Sequence, residues 1–315
     1  MTIFSVVLFI CTTVIVSSVA DDNAELTPLA RIGGGTFWFG TQLTIAGKLI
    51  PNEAKDGAQA RVKKTVKPFS MEIYPVSNAQ FAKFVAETGY VTEAEVFKWS
   101  FVLEHLASEA VVKQVDSKKG YGRVKEATHW MAVPRASWHK PYGRDSPAMT
   151  FNENERLPVV HVSHTDAERY CAWAGRRLPT ELEWEYAARG GRSKQNYPWG
   201  DEFTPDRMNI WEGSFPSKNT LKDGYLGPAP VDAYSPNDFG LYNMLGNVWE
   251  WVAGGVPEKR VLRGGSFIDS VDGRFNHVVM VSTRQENTGD STASNVGFRC
   301  AVSEEVKKLD NSGEL

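Results

Sequence analysis

Sulfur is scarce in this chain: of 315 residues only Cys11, Cys171 and Cys300 are cysteines. That excludes a disulfide-dense scaffold, a four-thiolate zinc site and a Cys-x-x-Cys redox motif. Basic excess is missing as well. Lysine and arginine total 35 against 38 acidic residues, for a formal net charge of −3, and no basic cluster stands out, so nucleic acid is not an expected partner. No Asn-x-Ser/Thr triplet occurs, so no N-glycan is expected. The Gly-x-Ser-x-Gly elbow of serine hydrolases is absent. Without repeats, low-complexity linkers or heptads to divide the chain, one compact unit is expected.

Long apolar runs are confined to the beginning, where Ile3 to Val16 precede the small residues Ser18 and Ala20. Residues 1–20 read as a secretory signal peptide cleaved before Asp21; an uncleaved anchor is the alternative, because no Lys or Arg precedes the apolar run. No later stretch approaches the roughly 20 apolar residues of a spanning helix, so no membrane contact is expected after signal cleavage. In an oxidising compartment Cys171 and Cys300 most simply form one disulfide, two buried free thiols being the alternative. The last four residues, Ser312-Gly313-Glu314-Leu315, keep two residues of a Lys-Asp-Glu-Leu retention signal, marking 304–315 as a tail.

What is present is a globular composition, 42% hydrophobic and 23% charged. Gly33-Gly34-Gly35 and TFWFG predict a turn and an early strand, with a loop from Gln42 to Val62 before a second strand over Val66 to Ile73. Ser77 with Gln80 predicts a capped helix burying Phe81, Phe84 and Val85 and stopping at Gly89. A second helix starts near Ser163, with Asp166 in its first turn and Ala167, Tyr170, Cys171 and Ala174 on one stripe, and ends at Gly175. Thr180 with Glu183 caps a third, through Trp184, Tyr186 and Ala187 to Gly190-Gly191. Beyond residue 195 the text is rich in aromatics, Gly, Pro and Asn, with neither helical nor strand period. Such backbone satisfies its polar groups through loop bonds, side chains, water or ions. The fold class predicted is α+β, with few helices, short strands and much irregular structure.

Candidate chemistry is thin when read residue by residue. His161 and His164 are the only close histidine pair, and ordinary structural roles outweigh zinc there. The carboxylates of ELEWE and WEW read as helix surface and loop charge, and Ser266 in RGGSF has no local acid-base partner. Asp223, in the acidic turn KDGYLG, suits an oxygen-seeking cation such as calcium, although alone it is more often only a turn.

Taken together, CAWAGRRLPTELEWEYAARGG, YPWG, NIWEGSFP, APVDAYSPNDFGLYNMLGNVWEW, VLRGGSF and ASNVGFRC resemble the formylglycine-generating enzyme family, the sulfatase-modifying factors, in order from about Arg31 to Ala301. The resemblance implies a single domain over 21–303, related to the C-type lectin fold. Active members oxidise a cysteine of newly made sulfatases to formylglycine with two redox cysteines and a copper ion held by their thiolates. Here the first cysteine position aligns with Asp269 and the second falls near Arg274 to Asn276, so no copper is expected, since thiol exchange needs sulfur. A further family cysteine is replaced by Ala188, while Cys171 and Cys300 match the remaining family disulfide.

The landmarks of FIDSVDGRFNH and the final Gly-Glu-Leu are most similar to a cysteine-less paralogue within this family. That implies a non-catalytic protein of the endoplasmic reticulum lumen. Its partners would be the formylglycine-generating enzyme and sulfatases, whose activation it dampens, in a homodimer or heterodimer. An enzyme that uses the retained pocket for another reaction, with Asp269, Asp272, His277 and Arg284 as candidates, and a peptide-binding holdase are the alternatives. The resemblance also implies calcium at a first site of Asn209, Ile210, Asp223 and Tyr225, and at a second of Asn243, Gly246, Val248 and Glu250. It leaves Trp249, Ser266, Asp269, Arg284 and Asn295 as a residual substrate groove.

Overall fold

Leu29–Ile32 (β1) and Gly35–Phe39 (β2) open the chain, followed by a two-residue hairpin of Thr44–Ile45 (β3) and Lys48–Leu49 (β4). The computed structural model describes residues 25–41, 44–45, 48–49, 61–119, 122–143, 155–273 and 276–304. The expected signal peptide, Ser312 to Leu315, and Arg274 and Phe275 lie outside them. Val62–Val66 (β5) pairs with β2 and Phe69–Glu72 (β6) with β1, both antiparallel. Ile32 opposite Phe69 and Gly35 opposite Val66 keep one register, so the two pairs form a single interrupted ribbon. The strand expected over Val66 to Ile73 is thereby broken at Lys67-Pro68, where proline cannot donate to a ladder. Facing it, Gly34 has φ 71°, and a Cβ there would lie 2.5 Å from the Val66 carbonyl.

The three expected helices form where their caps place them. Asn78–Thr88 (α1) starts from a reciprocal Ser77–Gln80 box and ends at Gly89 with φ 66°. A short helix not foreseen, Glu93–Phe97 (α2), follows, although Thr92 and Glu95 spell the same box. Trp99–Leu103 (β7), Glu109–Gln114 (α3), Arg123–Val124 (β8) and Ala127–Pro134 (β9) then build a small lobe, its sheet ordered β7-β9-β8. Val102, Val111, Val115, Met131 and Val133 form the core of this lobe. His164–Trp173 (α4) is capped by Ser163 and Asp166, and Glu181–Ala188 (α5) by Thr180 and Glu183.

Gly213–Ser214 (β10) and Lys218–Asn219 (β11) make a second small hairpin. The main sheet comes last in the chain: Trp249–Trp251 (β12), Arg260–Arg263 (β13), Arg284–Asn287 (β14) and Val296–Phe298 (β15), ordered β14-β13-β12-β15, with β12 and β15 parallel. Ala301–Ser303 (β16) returns to the free edge of β6. Trp249, Trp251, Phe81, Tyr170 and Phe298 pack one large core against the disulfide Cys171–Cys300, whose Cα atoms are 5.7 Å apart. Phe81 lies face to face with Tyr170 at 5.8 Å and edge-on to Phe84, Trp138 and Phe298. Burying each such ring stabilises the fold by about 1.5–3 kcal/mol. Closing a loop of 129 residues, the bridge adds about 4–5 kcal/mol in the chain-entropy account.

Irregular backbone between these elements is pinned by buried ion pairs that the sequence did not announce. Arg299 reaches Glu250 at 2.8 Å; Arg189 and Arg263 hold the two oxygens of Glu185 at 2.7 and 2.6 Å; Arg176 pairs with Glu72, whose other oxygen accepts the Cys300 N–H at 2.7 Å. These arginines also donate to loop carbonyls, Arg299 to Tyr242 and Arg263 to Val281. Each guanidinium therefore balances a buried carboxylate and satisfies orphan loop oxygens together.

Candidate functional site

Where β13 ends, Gly264 and Gly265 turn the chain at φ 96° and 77°. A Cβ on Gly264 would come within 3.0 Å of the Met244 carbonyl and the Trp184 ring, so glycine is required. The turn delivers Ser266 into the interior, where its N–H and its hydroxyl both donate to Asp269 Oδ2 at 2.8 Å. Asn295 Nδ2, from the loop before β15, donates to Ser266 Oγ at 2.9 Å, and the His277 N–H donates to Asp269 Oδ1 at 3.1 Å. The Asp269 carbonyl accepts the Trp211 N–H, and Trp249 stands edge-on to His277 at 5.0 Å. Burial pushes the Asp269 carboxyl up from its usual range, while His277 and the donated hydrogen bonds oppose that.

Two expectations change here. Ser266, Asp269, Asn295 and Trp249 are all under 5% exposed, so they close on one another and do not line an open groove. The reason is chemical: a carboxylate at position 269 is short enough to accept from its own turn and consumes the donors around it. Arg284 does not join them. It sits on β14, its Nε 2.8 Å from Glu181 and its Nη1 3.1 Å from Glu286. Asp272 is exposed and accepts from Ser270 Oγ at 3.2 Å.

The loops before the main sheet are organised differently. Asp223 is buried, and its two oxygens accept the N–H groups of Ile210 at 3.0 Å and Tyr225 at 3.1 Å, which joins three residues of the first expected cation set, with the fourth, Asn209, next to Ile210 in the chain. No basic side chain pairs with it among the described residues, and burial raises its pKa. Asn209 Nδ2 donates to the Gly227 carbonyl and to Asn247 Oδ1, which leaves Asn209 Oδ1 buried without a partner. In the second set Asn243 Nδ2 donates to the carbonyls of Pro230 and Val231, and its Oδ1 is likewise unpartnered. Because carbonyls fix which end is the amide nitrogen, both oxygens are the ends left over.

The two loops touch. A Cβ on Gly246 would lie 2.3 Å from the Asn209 carbonyl, and the Asn247 N–H donates to that same carbonyl at 2.8 Å. Glu250 departs from its expected role, since its oxygens accept from Arg299 Nε and Nη2 and from Trp184 Nε1 at 2.8 Å. Its charge is thus answered by a guanidinium, and the second set offers a cation mainly neutral oxygens, Val248 and Gly246 included. The partnerless oxygen of Asn209 and the unpaired carboxylate of Asp223 are of the chemical type that a hard cation takes. His161 Nδ1 lies 2.8 Å from Ser100 Oγ and His164 Nε2 lies 3.1 Å from the Val252 carbonyl, and no cluster of three or more His, Cys, Asp or Glu suited to a metal occurs among the described residues.

Comparison with known proteins gives the fold and site a family. The Sulfatase-modifying factor enzyme 1-like domain matches residues 17–304. The chain belongs to the sulfatase-modifying factor family. Within that family it is similar to the Inactive C-alpha-formylglycine-generating enzyme 2 of Bos taurus, at 45% identity over 89% of each chain. It is similar also to the Formylglycine-generating enzyme of Mus musculus, at 42% identity over 88% of this chain and 75% of that one. Among solved structures, PvdO from Pseudomonas aeruginosa shares the fold, with a TM-score of 0.60, 21% identity and coverage of 90% of this chain and 97% of PvdO. The sulfatase-modifying factor fold accordingly combines mixed helix and strand with modest regular structure in a single domain, as the sequence led one to expect.

Proposed function

We propose that this chain is a non-catalytic member of the family that binds the formylglycine-generating enzyme, sulfatases or both in the endoplasmic reticulum lumen and lowers sulfatase activation. One observation supports the reading: Asp269, which the sequence resemblance sets at the first redox cysteine of active members, is buried and bonded to Ser266 and His277. A carboxylate can neither exchange with a substrate thiol nor hold Cu(I) as a thiolate does. The similarity to relatives named inactive supports the same conclusion. Calcium would be held by Asn209, Ile210, Asp223 and Tyr225, and less strongly by Asn243, Gly246 and Val248; when bound, it supplies positive charge to pin two irregular loops. Self-association or pairing with an active relative fits the inhibitory role.

The experiment is a pull-down of the mature protein, with calcium, against the active enzyme and a newly translated sulfatase, coupled to a formylglycine readout. Binding with reduced conversion, and no turnover by this chain on a sulfatase peptide with copper supplied, is expected. Turnover above background would overturn the non-catalytic reading, and absence of binding to either protein would overturn the modulator.

A further inference from the structure

In the small lobe, far along the chain from the cysteine-derived site, α2 and the turn after β9 enclose a surface cavity of about 280 Å³. Lys98, Arg135 and Lys140 stand around it, with Ser137, His139 and Glu95 completing the wall above the buried Ala94. None of the three cations has an ion pair or side-chain hydrogen bond among the described residues. Glu95 does not balance them: its Oε2 accepts the Thr92 N–H and hydroxyl at 2.9 and 2.8 Å, and its Oε1 faces His139 Nδ1 at 3.6 Å. Ser137 Oγ lies 3.3 Å from the same nitrogen.

The backbone adds an independent observation. Lys98 and Arg135 both hold φ 63°, and the Arg135 N–H donates to the Lys98 carbonyl at 2.7 Å. Lys98 closes α2 in the left-handed conformation that glycine normally supplies, and Arg135 takes the same conformation just past β9. Two adjacent positions where glycine would be less strained carry Lys98 and Arg135 instead, and both residues border one cavity. Ordinary helix and strand termination accounts for the turn but not for the choice of side chains.

We infer that this cavity binds a small oxyanion ester, a phosphate or sulfate group carried on a sugar-sized body. Three unpaired cations match a dianionic tetrahedral group, with the arginine fork and two ammoniums able to donate to separate oxygens. The volume exceeds that of the bare ion and leaves room for a body against the lysine stems.

The test is calorimetric titration of the full chain with inorganic phosphate, inorganic sulfate, glucose 6-phosphate and glucose 6-sulfate. Lys98→Gly and Arg135→Gly accept positive φ, so both variants should fold with melting temperatures at or above that of the parent. An ester should bind at one site more tightly than either inorganic ion, with affinity reduced at least tenfold in each variant and unchanged in Lys64→Ala, a lysine of β5 outside the cavity. The tighter ester identifies which oxyanion the cavity prefers. Absence of saturable binding, unchanged affinity in the glycine variants, or an equal loss in Lys64→Ala, which would mark diffuse charge attraction, overturns the site.

Discussion

Asp269 and Asp223 are both buried acids in irregular backbone, and neither has an arginine or lysine partner among the described residues, yet their surroundings differ in completeness. Around Asp269 two donors of Ser266 and the N–H of His277 meet the carboxylate, and Asn295 closes the ring on Ser266. Around Asp223 the carboxylate has two backbone donors, while the neighbouring Asn209 Oδ1 and, one loop away, Asn243 Oδ1 face no donor at all. One region has been finished with protein atoms. The other keeps oxygens that no protein donor meets. The difference is one of hydrogen-bond completeness: the first carboxylate is met on both oxygens by side-chain and backbone donors, whereas the second lies near amide oxygens that no protein donor meets.

The largest expected effect breaks the finished region. Asp269→Ala strands two Ser266 donors and one of His277, and at about 1–3 kcal/mol per buried unpaired group the fold should lose about 3 kcal/mol. Denaturant unfolding measures it, with exposed Asp272→Ala as a control expected within about 0.5 kcal/mol of the parent. Equal, small losses in both would mean that the network does not hold the turn. Next comes the open region. Calcium at a hundred times its dissociation constant stabilises by about 2.7 kcal/mol, so chelation should lower the melting temperature by about 6 °C. Asn209→Ala should abolish that response, and Asn295→Ala, from the finished region, should leave it intact. A chelator response that survives Asn209→Ala would place the ion elsewhere.

How legible these regions are in the sequence follows from how local their causes are. The boxes Ser77–Gln80, Ser163–Asp166 and Thr180–Glu183 act within one helical turn, so α1, α4 and α5 are legible from local sequence, and Thr92–Glu95 spells α2 by the same signal. The break at Pro68 was also written in the chain, because proline lacks the ladder donor. Pairings across long separations were not. Arg299 and Glu250 lie 49 residues apart, Arg176 and Glu72 104 apart, and nothing local tells which carboxylate a given arginine will neutralise. Glu250, which the family resemblance sets in the second calcium site, is taken up by one of these distant pairings. The Ser266–Asp269 contact spans only three residues, but its meaning depended on Asn295 and on burial, which sequence spacing does not carry.

The finest distinction between the two regions is a pH slope. Burial raises the pKa of both Asp223 and Asp269 above their ordinary value of 3.8, so the folded protein keeps a proton that the unfolded chain has released. Stability is then full below the ordinary value and falls as pH rises through the raised one, with a slope of at most about 1.4 kcal/mol per pH unit for each group. In calcium-free protein both acids contribute to that fall. Calcium stabilises the ionised form of Asp223 alone and should remove its share, leaving the part that belongs to Asp269. Unfolding measured across mildly acidic pH with and without calcium resolves the two, and Asp223→Asn should flatten the calcium-free curve towards the calcium-bound one. If calcium leaves the slope unchanged while still raising the melting temperature, the ion binds without using Asp223, and the open region would have to be reassigned to the neutral oxygens around Asn243.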